Sequence, residues 1–144
     1  MLLEGYLAAH ERGDTETVLA LLSDDLRVWM PPDPRTWHSR AAYADFAFTP
    51  EPPGRWRLRL TRANGQPAAA FYLQQWGDSA YRATALQVLR IDAGLIAEIV
   101  AFRYPQLFAA FGLPPVAEKS NDPDASSETA DQHVVSSQQH YAPR

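Results

Sequence analysis

Acid–base catalysis needs a carboxylate or an imidazole in an apolar setting, where burial can tune its pKa. The residues of those types in the body of this 144-residue chain that could serve are His10, His38, Asp45, Asp92 and Glu98. Glu98 keeps the alternation of Ile96, Val100 and Phe102, but a glutamate near a strand end ordinarily faces water. Asp92 belongs to the turn "DAG", and Asp45 precedes Phe46 on the wet side of a helix. His10 and His38 stand near the ends of elements, where a lone histidine is usually structural or solvated. No two of the four histidines have metal-ligand spacing within one element, and the chain has no cysteine. A catalytic residue, a metal and a cofactor are therefore not expected.

Ligand binding asks for less: an apolar pocket with a few convergent polar groups. The stretch "TRANGQPAAAFYL" raises that possibility. Asn64 and Gly65 make a hairpin turn, and Pro67, lacking an amide donor, suits a strand start at an edge. Arg62 and Gln66 remain, at the ends of adjacent strands. Arg62 keeps the parity of Trp56, Leu58 and Leu60, and a charge on an apolar face needs a partner. Gln87 shares a side with Ala85 and Leu89. The aromatic residues Tyr6, Trp29, Trp37, Trp56, Tyr72 and Phe102 either fill the core or line a pocket, with Trp37, after "PPDPRT", near its mouth. The candidate ligand-binding set is thus Tyr6, Trp29, Trp37, Trp56, Arg62, Gln66, Tyr72, Gln87 and Phe102.

The elements that must position these residues follow from periodicity. Leu2, Leu3, Tyr6, Leu7 and His10 recur at helical spacing, with Gly13 behind them. Asp14 or Thr15 caps a second helix and Ser39 a third. "LRVWM" (residues 26–30) is a short strand stopped by two prolines, and further strands are expected over 55–62, 68–75, 81–91 and 95–102. Pro105 opens a last helical turn that Gly112 ends. The order implies an α+β fold: a curved antiparallel sheet covered by about three helices. Arg55, Arg57 and Arg59 alternate with Trp56, Leu58 and Leu60, which puts an arginine stripe on the outer face of the sheet, solvated or covered by a dimer or domain contact.

The stretches "LLSDDLRVWMPPDPRTWHSRAAYADF", "GRWRLRLTRANGQPAAAFYL" and "ALQVLRIDAGLIAEIVAFRYPQLFAAFGLP" resemble the SnoaL-like domain at the C-terminus of a group of extracytoplasmic-function sigma factors. The likeness runs from Leu2 to Pro114. It implies the nuclear transport factor 2-like cone, and a non-catalytic regulatory or ligand-binding role in transcription. Sigma-factor domains or RNA polymerase are the implied partners, with a small apolar ligand and a homodimer as further ones. Ser39 stands where the family usually has glycine, and Thr84 where it usually has histidine. These 144 residues hold no counterpart of the two helical sigma domains. A second reading is a small isomerase or hydrolase acting on an apolar polyketide- or terpenoid-like substrate. Ketosteroid isomerases of this fold pair a buried aspartate with a tyrosine. Tyr6 matches the tyrosine, but no aspartate here matches the base.

Composition sets the domain limits. Residues 1–117 carry twelve acids against eleven arginines, a balance that gives no case for direct nucleic-acid binding. Residues 118–144 carry five acids against Lys119 and Arg144 and only two aliphatics larger than alanine, so this acidic tail is expected to be disordered. No run is long and apolar enough for a membrane span, the start lacks the basic region of a secretory signal, and the absence of cysteine fits a cytoplasmic protein.

Overall fold

A computed structural model describes residues 2–48 and 53–117; the acidic tail lies outside the described residues. Helix α1 (Leu2–Glu11) turns off at Gly13, whose φ of 71° lies in the left-handed region that glycine tolerates. Helix α2 (Thr15–Ala20) starts on Asp14, whose carboxylate accepts from the Thr17 amide at 3.1 Å. Helix α3 (Arg40–Ala47) starts on Ser39, whose hydroxyl accepts from the Ala42 amide at 3.0 Å. Both caps are the expected ones. They satisfy amides that a helix start otherwise leaves without partners.

Six strands form one sheet in the order β2-β1-β6-β5-β4-β3. They are β1 (Leu22–Met30), β2 (Asp33–Trp37), β3 (Gly54–Ala63), β4 (Gln66–Gln75), β5 (Arg82–Asp92) and β6 (Leu95–Phe102). β3 to β6 are the expected antiparallel meander, turning at Asn64–Gly65 and Ala93–Gly94 with positive φ at all four residues. Two features differ from expectation. β1 lies parallel to β6, so the sheet is mixed. The proline-rich stretch after Met30 also yields a strand rather than a loop: β2 sits at the sheet edge, where Pro34 need not donate to a neighbour.

Both faces of the sheet are covered. The inner face carries the larger core: Leu26, Val28, Trp56, Leu58, Phe71, Ile99 and their neighbours, closed by Tyr6, Val18 and Tyr43 from the helices. The outer face carries a second core over β3, β4 and β5. There Ala63, Ala68, Ala70, Tyr72, Ala83 and Leu86 meet Phe108 of the short helix α4 (Leu107–Ala110) and Leu113. The small side chains let the C-terminal segment approach the sheet closely. Pro115 then accepts from the Ala83 amide and Tyr81 from the Ala117 amide, each at 2.9 Å. The pairings leave extra residues in β2, β5 and β6, irregularities of the kind that bend a strand and increase its twist.

Candidate functional site

The inner face holds a compact polar cluster. Tyr6 and His10 stand one helical turn apart on α1, so both side chains leave the same side of the helix. Gln87 reaches them from β5, where its cross-strand neighbours are Ala69 and Ala101. Two alanines beside a glutamine leave room for a phenol to meet it. The Tyr6 hydroxyl donates to Gln87 Oε1 at 2.6 Å, and both residues are fully buried. One phenol satisfies only one end of an amide. The other end, Gln87 Nε2, is buried without a hydrogen-bond partner among the described residues.

The His10 ring packs edge-on against Tyr6 at 4.5 Å and Phe71 at 5.0 Å between centroids. Burial holds its pKa down to about 3, so the ring is neutral at neutral pH. Such an imidazole is a weak base there. Glu11, next along α1, turns to the sheet edge: its Oε2 accepts from the Leu58 amide at 2.8 Å, on the outer strand of the sheet. Burial raises its pKa, and the bond to Leu58 and the charge of Arg57 oppose that rise. The inner cluster thus gathers polar groups around a neutral imidazole. Its groups are a phenol, an amide and a neutral imidazole.

Of the nine residues expected to bind ligand, Tyr6, Gln87 and Trp56 lie together on the inner face, with Trp56 edge-on to Phe71 at 5.6 Å. Trp37 ends β2 and stacks on Phe46 of α3 at 4.5 Å, with the Arg35 guanidinium 5.4 Å from its ring. The other five do not converge there. Arg62 and Gln66 are exposed in the hairpin, because β3 and β4 run past the rim of the core; Arg62 Nη2 donates to the Gly65 carbonyl. The partner that Arg62 requires is thus a local carbonyl. Tyr72 points outward, its hydroxyl donating to the Pro114 carbonyl at 2.9 Å. Phe102 pairs with Leu86 of the outer core, and Trp29 alternates with the inner Val28 and Met30. Glu98 also points outward and pairs with Arg90 at 3.1 Å. Asp45 and His38 are exposed. Among the described residues no three His, Asp or Glu side chains are grouped to hold a metal, and no helix is long and apolar enough to cross a membrane.

Sequence reasoning missed His10 and Glu11 as buried groups. The signal for His10 was present, since it falls four residues after Tyr6 on the apolar side of α1. Nothing local marks Glu11, whose partner is 47 residues away.

Tyr6→Phe should destabilise the protein by about 1–3 kcal/mol, because both ends of the Gln87 amide would then be buried without a partner. Tyr6→Phe combined with Gln87→Leu should recover most of that loss. Denaturant melts of the two single variants and the double would show it; additive losses would mean that the bond carries no weight.

The SnoaL-like domain profile matches residues 3–99. The extracytoplasmic-function RNA polymerase sigma factor SigG of Mycobacterium tuberculosis is 35% identical over 116 residues, 78% of this chain. The match takes in 31% of that relative, so the chain spans about a third of its length. Among solved structures, the Δ5-3-ketosteroid isomerase of a Mycobacterium species superposes with a TM-score of 0.54 at 22% identity, over 73% of this chain and 92% of that one. An NTF2-like protein of unknown function from Burkholderia xenovorans gives 0.55 at 14% identity, over 89% of each. At these identities the two structures establish a shared fold.

Proposed function

The chain belongs to the SnoaL-like domain family, and from that membership we propose that it is a non-catalytic regulatory or ligand-binding domain that tunes transcription through sigma-factor domains or RNA polymerase. The observation that carries this reading is the character of the inner cluster. Its polar groups are the Tyr6 hydroxyl, the Gln87 amide and an imidazole that burial keeps neutral. Proton abstraction beside a carbonyl calls for a base with a pKa near the working pH. The similarity to SigG supports the transcriptional side of the proposal. A small apolar ligand carrying one carbonyl would find a donor in Gln87 Nε2.

Two measurements test the proposal. The purified chain should bind, saturably, an extracytoplasmic-function sigma factor lacking its own SnoaL-like domain; no binding at micromolar concentrations would sink the transcriptional role. Incubated with a Δ5-3-ketosteroid, it should leave the absorbance of the conjugated enone at the buffer rate. Turnover that Tyr6→Phe abolishes would instead favour an isomerase, the reading that the phenol–amide pair supports.

A further inference from the structure

β3 is the last strand of the sheet, and Arg55, Arg57 and Arg59 share its outer face. No irregularity interrupts its pairing with β4, so alternate residues lie about 7 Å apart and the row runs for about 14 Å. Exposure rises along it: Arg55 is nine-tenths buried, Arg57 half-buried and Arg59 exposed. Among the described residues Arg12, Arg35, Arg40, Arg82 and Arg90 are in ion pairs, and none of these three is. The Arg55 guanidinium lies 5.7 Å from the Trp76 ring, and that of Arg57 4.5 Å from the Tyr81 ring. Arg55 Nε is buried without a hydrogen-bond partner. A cation withdrawn from water ordinarily has an anion beside it, and a ring face replaces only part of that attraction. Glu11, whose carboxylate feels Arg57, is engaged by the Leu58 amide. The face is therefore short of negative charge.

Trp76, beside Arg55, is 53% exposed. Tryptophan, tyrosine and arginine in one patch are the residue types that carry most binding energy between proteins. Nucleic acid asks for a broader positive field: residues 1–117 carry twelve acids against eleven arginines, and one cation of the row is withdrawn from the surface. The free edge of β3 is closed to an added strand at Leu58, whose amide Glu11 occupies, so a partner meets the face of the strand. We propose that the outer face of β3 docks an acidic segment of a partner protein, with carboxylates on Arg57 and Arg59 and an apolar side chain on Trp76. Guanidinium and carboxylate meet in paired, directional hydrogen bonds. Arg59, exposed, is open to screening by salt, whereas the buried Arg55 is screened much less and holds a fixed positive field beside the contact. The surface lies across the sheet from the Tyr6–Gln87 cluster and does not depend on the transcriptional role.

A short oligoglutamate peptide carrying one leucine is the probe, added to the full-length protein. It should shift the amide NMR signals of residues 55–59 and the Trp76 indole signal saturably, leaving those of β1 and β2 in place. Arg59→Glu should weaken binding about tenfold or more, and Arg59→Gln, which removes the charge without reversing it, should weaken it less. Arg27→Glu makes the same change in net charge at an exposed arginine of β1, and should weaken binding by less than about twofold. Both arginines are exposed, so the variants should melt with the parent protein. Equal weakening by Arg59→Glu and Arg27→Glu would reduce the effect to long-range attraction and overturn the proposal. Shifts centred on another face, or none at millimolar peptide, would overturn it as well. An oligonucleotide that moves the same signals and binds more tightly than the peptide would give the stripe to nucleic acid instead.

Discussion

Phe71→Ala is expected to lower stability by about 3–5 kcal/mol, which for a domain of this size moves the melting temperature by on the order of 10 °C or more. Phe71 is fully buried on the inner face of β4 and meets the rings of His10 and Trp56 edge-on. Removing it takes away apolar contact and leaves a cavity that rigid neighbours on both sides cannot close. Phe102→Ala is the control, a same-sized truncation at a half-buried outer position. It should cost clearly less in the same melt. Equal losses would mean that the inner core is not the main source of stability.

Acidification should act through His10. An unfolded chain takes up its proton near pH 6.5, whereas burial delays that step in the folded protein to about pH 3. Between those values the unfolded state binds the extra proton, so stability is complete above pH 6.5 and falls as the pH drops. The limiting slope for one proton is about 1.4 kcal/mol per pH unit. The raised pKa of Glu11 works the other way, since the folded protein takes that proton first. A net loss of about 2 kcal/mol from pH 6.5 to 4.5 is expected. Asp14, Asp33 and Asp78, held low mainly by hydrogen bonds to Thr17, Arg35 and Arg82, add their losses below about pH 4. Urea midpoints across that range should flatten in His10→Phe; an unchanged slope in the variant would assign the effect to other groups.

The fold was legible from the sequence because period and punctuation agree along most of it. Asp14, Ser39, Asn64-Gly65 and Gly112 stand where the structure uses them. The faces were less legible, for two physical reasons. β4 is apolar on both sides, since the outer core covers the face that alternation would assign to water, and this concealed the outward turn of Tyr72. Extra residues at Thr84 in β5 and Ala97 in β6 break the period of two on which parity arguments rest, so that Ala83 faces outward and Ala85 inward, and Ile96 inward and Glu98 outward. The polar cluster was half legible. Tyr6 and Gln87 could be placed on inner faces by spacing, but the depth at which His10 sits is a property of three elements meeting, which no single stretch encodes.

The parallel pairing of β1 with β6 also fixes an order of events. β3 to β6 follow one another through short turns, so each hairpin can close as soon as its second strand exists. β1 has β2 close behind it, but its second partner lies about seventy residues further on: Trp29 is aligned with Val100. Closing so long a loop costs more entropy than any of the hairpins, and distant pairings of this kind slow folding. During synthesis α1, α2, β1 and β2 are complete well before β6 is made. Until β6 is made, the inner-face side chains Leu26, Val28 and Met30 lack the strand beside them, and apolar surface left open in this way during synthesis is prone to aggregation.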